Sequence, residues 1–176
     1  MHNFAQLIDR CVVFTLDVLR EENGRAIEQL QKSGASSLVK TLQIVNLQKV
    51  IIAVGMFSIF EAHLQNGLSC SNGFSEAKKI LEDAGELELK ECFDDFCLAI
   101  NVLKHGYGRS YDALVAKKQS LSFKIKPLNE SFFYEGDLAE VSILIEVNDE
   151  FVQRCGKVIS DVSELIKRVR PEFKSA

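Results

Sequence analysis

Phe96-Cys-Leu-Ala-Ile-Asn101-Val-Leu-Lys104-His105-Gly106-Tyr-Gly108-Arg109-Ser110-Tyr-Asp-Ala-Leu114 is the stretch that decides the fold. Phe93, Phe96, Cys97, Ile100 and Leu103 follow helical spacing, which predicts an amphipathic helix over about 88–105. Gly106 supplies the stop, and Ser110 is expected to cap a short helix running to about Lys118. Asn101 and His105 are four apart and share one stripe of the last turn. The imidazole there stands beside the negative end of the helix dipole. Asn, Lys, His and Arg thus gather at one junction. They fit either a functional site or a solvated helix end.

Working outward, residues 3–22 put Phe4, Leu7, Ile8, Cys11, Val12, Thr15, Val18 and Leu19 on one stripe, with Asn3 as cap. A second, broken stretch spans 26–31. A long helix is expected from about Ser37 to Gln65, and its apolar run from Val50 to Phe60 covers 11 positions. That run is too short to cross a bilayer and suits a helix buried in a bundle. Residues 69–73 read as a loop and 75–85 as a short acidic helix. Beyond 120 the period changes. Leu121, Phe123 and Ile125 alternate with polar residues, as do Val141, Ile143, Ile145 and Val147, which predicts a β-hairpin over 121–147. Its outer face can pair Lys124 or Lys126 with Glu146. The connection, 127–140, carries Phe132-Phe133-Tyr134. Asn148 then caps a C-terminal helix over 148–170, stopped by Pro171. Its stripe of Phe151, Cys155, Val158, Val162, Leu165 and Val169 fits a bundle core better than a coiled-coil seam.

A chain of 176 residues with 47% hydrophobic and 26% charged residues suits one mainly α domain over 1–176, with a helical bundle over 3–120. The net charge of −4 argues against a protein that coats nucleic acid everywhere. Charge is uneven, however. Between Lys104 and Lys126, six Lys and Arg residues face Asp112 alone. Such a segment is either a selective polyanion site or a solvated face. Five scattered cysteines without a C-x-x-C pair, with Cys11, Cys97 and Cys155 on apolar helix faces, fit buried free thiols in a reducing cytoplasm. Asp9 and Arg10 interrupt the N-terminal apolar pattern, so no secretory leader is expected.

Phosphate-loop, dinucleotide-loop and zinc-protease patterns are missing, and the three histidines come without a spaced cysteine pair, so no metal or cofactor is expected. Glu61 lies on a mostly apolar helix. It reads either as a helix-edge residue paired with a lysine or as a partly buried site carboxylate.

The Asn101-x-x-Lys104-His105-Gly106-x-Gly108-Arg109-Ser110 run resembles the signature of the HEPN superfamily, helical domains whose active members carry Arg-Asn-x-x-x-His near the end of a long helix. Asn101 and His105 fall on the family's Asn and His, while Ile100 stands in place of the Arg. Phe60-Glu61-Ala62-His63-Leu64 resembles a stretch of the neighbouring helix in the same superfamily. The resemblance implies a HEPN-like bundle and metal-independent RNA cleavage with His105 as proton carrier and Asn101 orienting. It also implies a homodimer with His105 near the two-fold axis, and a toxin or phage-defence setting with an antitoxin-like partner. Lys104 and Arg109 are then the candidate phosphate-binding cations, and Glu61 and Ser110 the supporting residues. Without the guanidinium, the alternative is a catalytically inactive dimerisation or partner-binding module.

Overall fold

The computed structural model describes residues 4–127 and 143–173. Its architecture is a mainly α bundle of six helices: α1 (Phe4–Leu30), α2 (Ser36–Leu68), α3 (Gly73–Asp83), α4 (Leu87–His105), α5 (Arg109–Ala116) and α6 (Asp149–Val169). Helix α1 runs unbroken where a break after residue 22 was expected. Arg25 explains the continuity, since it pairs with Glu21 at 3.2 Å and Glu22 at 2.9 Å on the outer surface while Ala26 is buried. Gly24 is carried inside that helix.

Helix α3 starts two residues earlier than its acidic pattern implies. Asn72 caps it, accepting from the Ser75 amide at 2.9 Å. Gly73 sits so close to α2 that a Cβ there would lie 2.7 Å from Leu64 Cβ and 2.8 Å from the Glu61 carbonyl oxygen. Only glycine allows that approach.

The core is aromatic at its centre. Phe57 and Phe60 of α2 meet Phe74 of α3 and Phe93 of α4, and Phe96 stacks 6.4 Å from Phe57. Helix α6 buries Phe151, Cys155, Val158, Val162 and Leu165, so its stripe is bundle core, with only Val169 left exposed at the end. Its Asn148 cap accepts from the Phe151 amide at 2.9 Å, as expected. Asp149 in the first turn joins three helices, reaching Arg20 at 2.7 Å and Lys49 at 2.8 Å. Partial burial alone would push its carboxyl up, but the two cations hold it below the usual carboxylate range.

No strand forms among the described residues, in contrast to the expected hairpin. A single antiparallel bridge joins Ile125 to Ile145, with Lys126 donating to the Leu144 carbonyl at 2.8 Å and Glu146 to that of Lys124 at 3.0 Å. The bridge is hemmed in by Pro127, which lacks an amide proton, and by Asn148, already committed to capping α6. The apolar alternation still serves the core, because Phe123, Ile125, Ile145 and Val147 are buried against the helices. Lys124 pairs with Glu146 at 3.3 Å. Phe132, Phe133, Tyr134 and Val141, like the Asn3 cap, lie outside the described residues.

His63 ties the two ends of the chain together. Its ring stacks 4.5 Å from Phe4 and meets Phe173 edge-on at 5.3 Å. Its Nε2 is buried with no hydrogen-bond partner among the described residues. Burial, helped by the nearby Lys167 charge, holds the imidazole below its ordinary value of 6.5. A histidine kept neutral on folding takes up its proton more readily in the unfolded chain. Its contribution is therefore intact above about pH 6.5 and lost as pH falls through the lower folded value. Thermal melts at about pH 7.5 and 5 are expected to show a drop that is smaller in His63→Phe. An equal drop in both proteins would remove His63 from the acid response.

Candidate functional site

Helix α4 is anchored by its inner face and offers its outer face to solvent. Phe93, Phe96, Ala99, Ile100 and Val102 are buried, whereas Asn101, Lys104 and His105 are exposed. The chain leaves the helix through Gly106 and Gly108, whose φ values of 74° and 152° are costly for other residues. The Gly106 amide closes the last turn on the Val102 carbonyl at 2.8 Å. Between the two glycines, exposed Tyr107 packs edge-on against Tyr111 at 4.9 Å. The Tyr111 hydroxyl in turn donates to the Lys126 carbonyl at 3.0 Å, fixing α5 to the bridge segment. Ser110 is not the cap it was expected to be. Gly108 occupies that position without a side-chain hydrogen bond, and Ser110 lies in the first turn of α5.

The structure splits the anticipated site in two. Asn101 and Lys104 line a cleft of about 370 Å³ between α2, α3 and α4, together with Ser58, Glu61, Lys78 and Asp94. Phe57, Phe74, Cys97 and Ile100 form its apolar floor. Lys78 and Asp94 neutralise each other across 2.6 Å, leaving Glu61 and Lys104 as the charges on the wall without an ion-pair partner among the described residues. Glu61 is half-buried and has no ion-pair partner among the described residues, so the lysine pairing open to it in sequence is not made. Burial pushes the Cys97 thiol well up; the nearby Lys78 charge opposes this, and the carboxylates of Asp94 and Glu61 add to it. His105, Arg109 and Ser110 are not on this wall. They stand at the α4–α5 corner.

Most of the basic segment is already engaged. Lys117 is held by the buried Asp95, and Lys124 by Glu146. Burial pushes the Asp95 carboxyl up, with Lys117 opposing it. Lys104 and Arg109 make no ion pair among the described residues, and both are exposed. Lys118 and Lys126 have interactions of their own, so the polyanion surface suggested by six cations contracts to Lys104 and Arg109, flanked by Asn101 and His105. Lys78 and Asp94 were legible only as part of a solvated acidic stretch, because a contact 16 residues apart across two helices leaves no periodic signal.

Ile100, in the place of the resembled arginine, is 3% exposed and packs into the core. The end of α4 thus presents an imidazole and an amide but no guanidinium on the same helix turn. Among the described residues no group of three or more His, Cys, Asp or Glu side chains is placed to hold a metal ion. No protein family, curated protein or solved structure matches the chain.

Proposed function

We propose that this protein is a HEPN-like helical domain that binds RNA phosphates through Lys104 and Arg109, and that it cleaves RNA weakly or not at all. The observation that carries this reading is the selective freedom of the two cations on either side of the end of α4. Lysines 117 and 124 are paired, while Asn101 and Lys104 on the cleft wall and His105 and Arg109 at the α4–α5 corner face solvent. Imidazole titrates near neutrality and suits proton transfer, and an arginine or lysine suits a phosphate oxygen. His105 supplies an imidazole at the end of α4. The cationic role is displaced to Lys104 and Arg109, and Arg109 lies beyond the end of the helix. The toxin or defence role, with its antitoxin-like partner, belongs to the cleaving form of this reading. The inactive partner-binding form is favoured by an uncovered apolar face on α1 and α2.

Titration of a labelled single-stranded RNA at increasing salt tests the proposal. Affinity should fall steeply, and Lys104→Ala and Arg109→Ala should each flatten the slope of log K against log salt by about 0.7–1. Lys124→Ala, whose ammonium is paired, should flatten it less. Undetectable binding at low salt, or equal slopes in all variants, would return the corner to a solvated helix end. Any metal-free cleavage should vanish in His105→Ala. Loss of one charge stabiliser typically costs about 100- to 1,000-fold in rate, so wild-type turnover is expected to be small. Strong cleavage that survives His105→Ala would overturn the role of His105.

A further inference from the structure

The outer sides of α1 and α2 carry large apolar side chains that nothing in the described chain covers. On α1, Leu7, Phe14 and Val18 follow one helical stripe, and Phe14 is 73% exposed. On α2, Ile44, Leu47, Ile51 and Ile59 do the same, at 45–59% exposure. The chain reverses between residues 31 and 35, so the two helices pack antiparallel. Their register is set where Phe4 stacks on His63 and Phe60. Both helices rise equally per residue, so counting from that contact brings Leu7 level with Ile59, Phe14 with Ile51, and Val18 with Leu47. Leu7, three residues after Phe4, also shares the side of α1 that meets α2, so the two stripes form one face.

Its area is that of an interface. At roughly 100 Å² per side chain the seven residues expose about 700 Å², above the few hundred Å² usual on a monomer and close to the ~800 Å² each partner gives to a stable complex. Gly55 adds an independent sign. It lies in the interior of α2 between Ile51 and Ile59, and a Cβ there would meet nothing within 4 Å. No packing inside the described chain requires a glycine at that point, where glycine is disfavoured. It leaves a notch that no side chain of the described residues fills.

We propose that this face docks a second copy of the chain in a two-fold, self-complementary dimer. The stripe is apolar on both helices, so the same patch can meet itself with nothing charged left at its centre. A lipid surface suits it less. Helices that lie on membranes carry basic flanks, whereas the acidic residues of α1 outnumber the basic ones five to three. By length and composition α2 can cross a membrane, but doing so would strip Phe57, Phe60 and Leu64 from the core.

Light scattering on the purified full chain at tens of micromolar tests this. The expected mass is twice 19.7 kDa. Phe14→Glu and Ile51→Glu should each raise the dimer Kd at least about 30-fold, the loss typical of a central interface residue. Gly55→Leu, which the free chain has room for, should also weaken the dimer. Val13→Glu, exposed on another side of α1, should leave it intact. Unchanged circular dichroism would show that each variant folds. A monomeric wild type, or a dimer insensitive to all three stripe substitutions, would overturn the proposal. So would a monomer that co-sediments with vesicles of phosphatidylcholine and phosphatidylglycerol, since that result assigns the face to lipid. Lys104 and Arg109 are not among the stripe residues, so these outcomes are independent of the RNA titration.

Discussion

Phe96→Ala is expected to destabilise the protein by about 3–5 kcal/mol. Phe96 is fully buried, and its ring lies 5.3 Å from Phe123 and Phe151 and 6.4 Å from Phe57. It therefore joins α4 to α2, to the bridge segment and to α6 at one point. Truncation removes the transfer free energy of a phenyl ring and leaves a cavity walled by side chains from several elements, which cannot all collapse inward. A domain is stable by only about 5–15 kcal/mol, so the variant should retain a small margin or none. Urea denaturation followed by circular dichroism reads the difference, with Leu87→Ala, 60% exposed, as a control expected to change stability by under about 0.5 kcal/mol. A loss below about 1 kcal/mol in Phe96→Ala would mean that the aromatic cluster is not packed as described. Because Phe96 also anchors the helix that presents Asn101 and His105, loosening at the α4–α5 corner should accompany the loss.

Ile100→Arg rebuilds the Arg-Asn-x-x-x-His pattern of active HEPN proteins in sequence, yet it is expected to lower stability rather than create a nuclease. Position 100 is 3% exposed, and a guanidinium cannot be left there unpaired. The longer side chain has one escape. Ile100 borders the floor of the cleft, and the aliphatic stem of an arginine can reach toward Glu61 or Asp94 on the wall. That route limits the expected loss to about 2–4 kcal/mol, below the cost of a fully stranded charge. It also ties the guanidinium to carboxylates, away from any phosphate at His105. Thermal denaturation should show a melting temperature lower by about 4–16 °C for a chain of this size. Metal-free RNA cleavage should not rise. An unchanged melting temperature together with new cleavage would show that position 100 faces the substrate, and would strengthen the ribonuclease reading at the expense of the binding one.

Much of the helical framework was legible because its signals are local. The α6 stripe and its Asn148 cap, the end of α4 at His105 and the long apolar α2 follow from residues within a few positions of one another. The errors fall where a distant or paired group decides. The expected break in α1 is bridged by Arg25, and the start of α3 depends on how closely Gly73 meets α2. At the site, sequence put Asn101, Lys104, His105 and Arg109 together because they are near along the chain. It also singled out Glu61 on its amphipathic pattern, and the fold brings that residue to the same cleft as Asn101 and Lys104.

By itself the sequence determined the mainly α class, most helix ends and the glycine-bounded corner, since hydrophobic period and capping chemistry act over one or two turns. Tertiary structure decided which of those features are spent and which are free. It buried Ile100, engaged Lys117 and Lys124 with Asp95 and Glu146, and left one bridge among the described residues of the alternating segments. It also left the apolar outer stripe of α1 and α2 uncovered, although the same pattern in sequence reads as core, and it buried Cys97 and Cys155 as expected but exposed Cys11. The reason is physical. An apolar or charged side chain declares what it would cost to leave unpartnered, but the partner comes from whichever helix the fold lays against it.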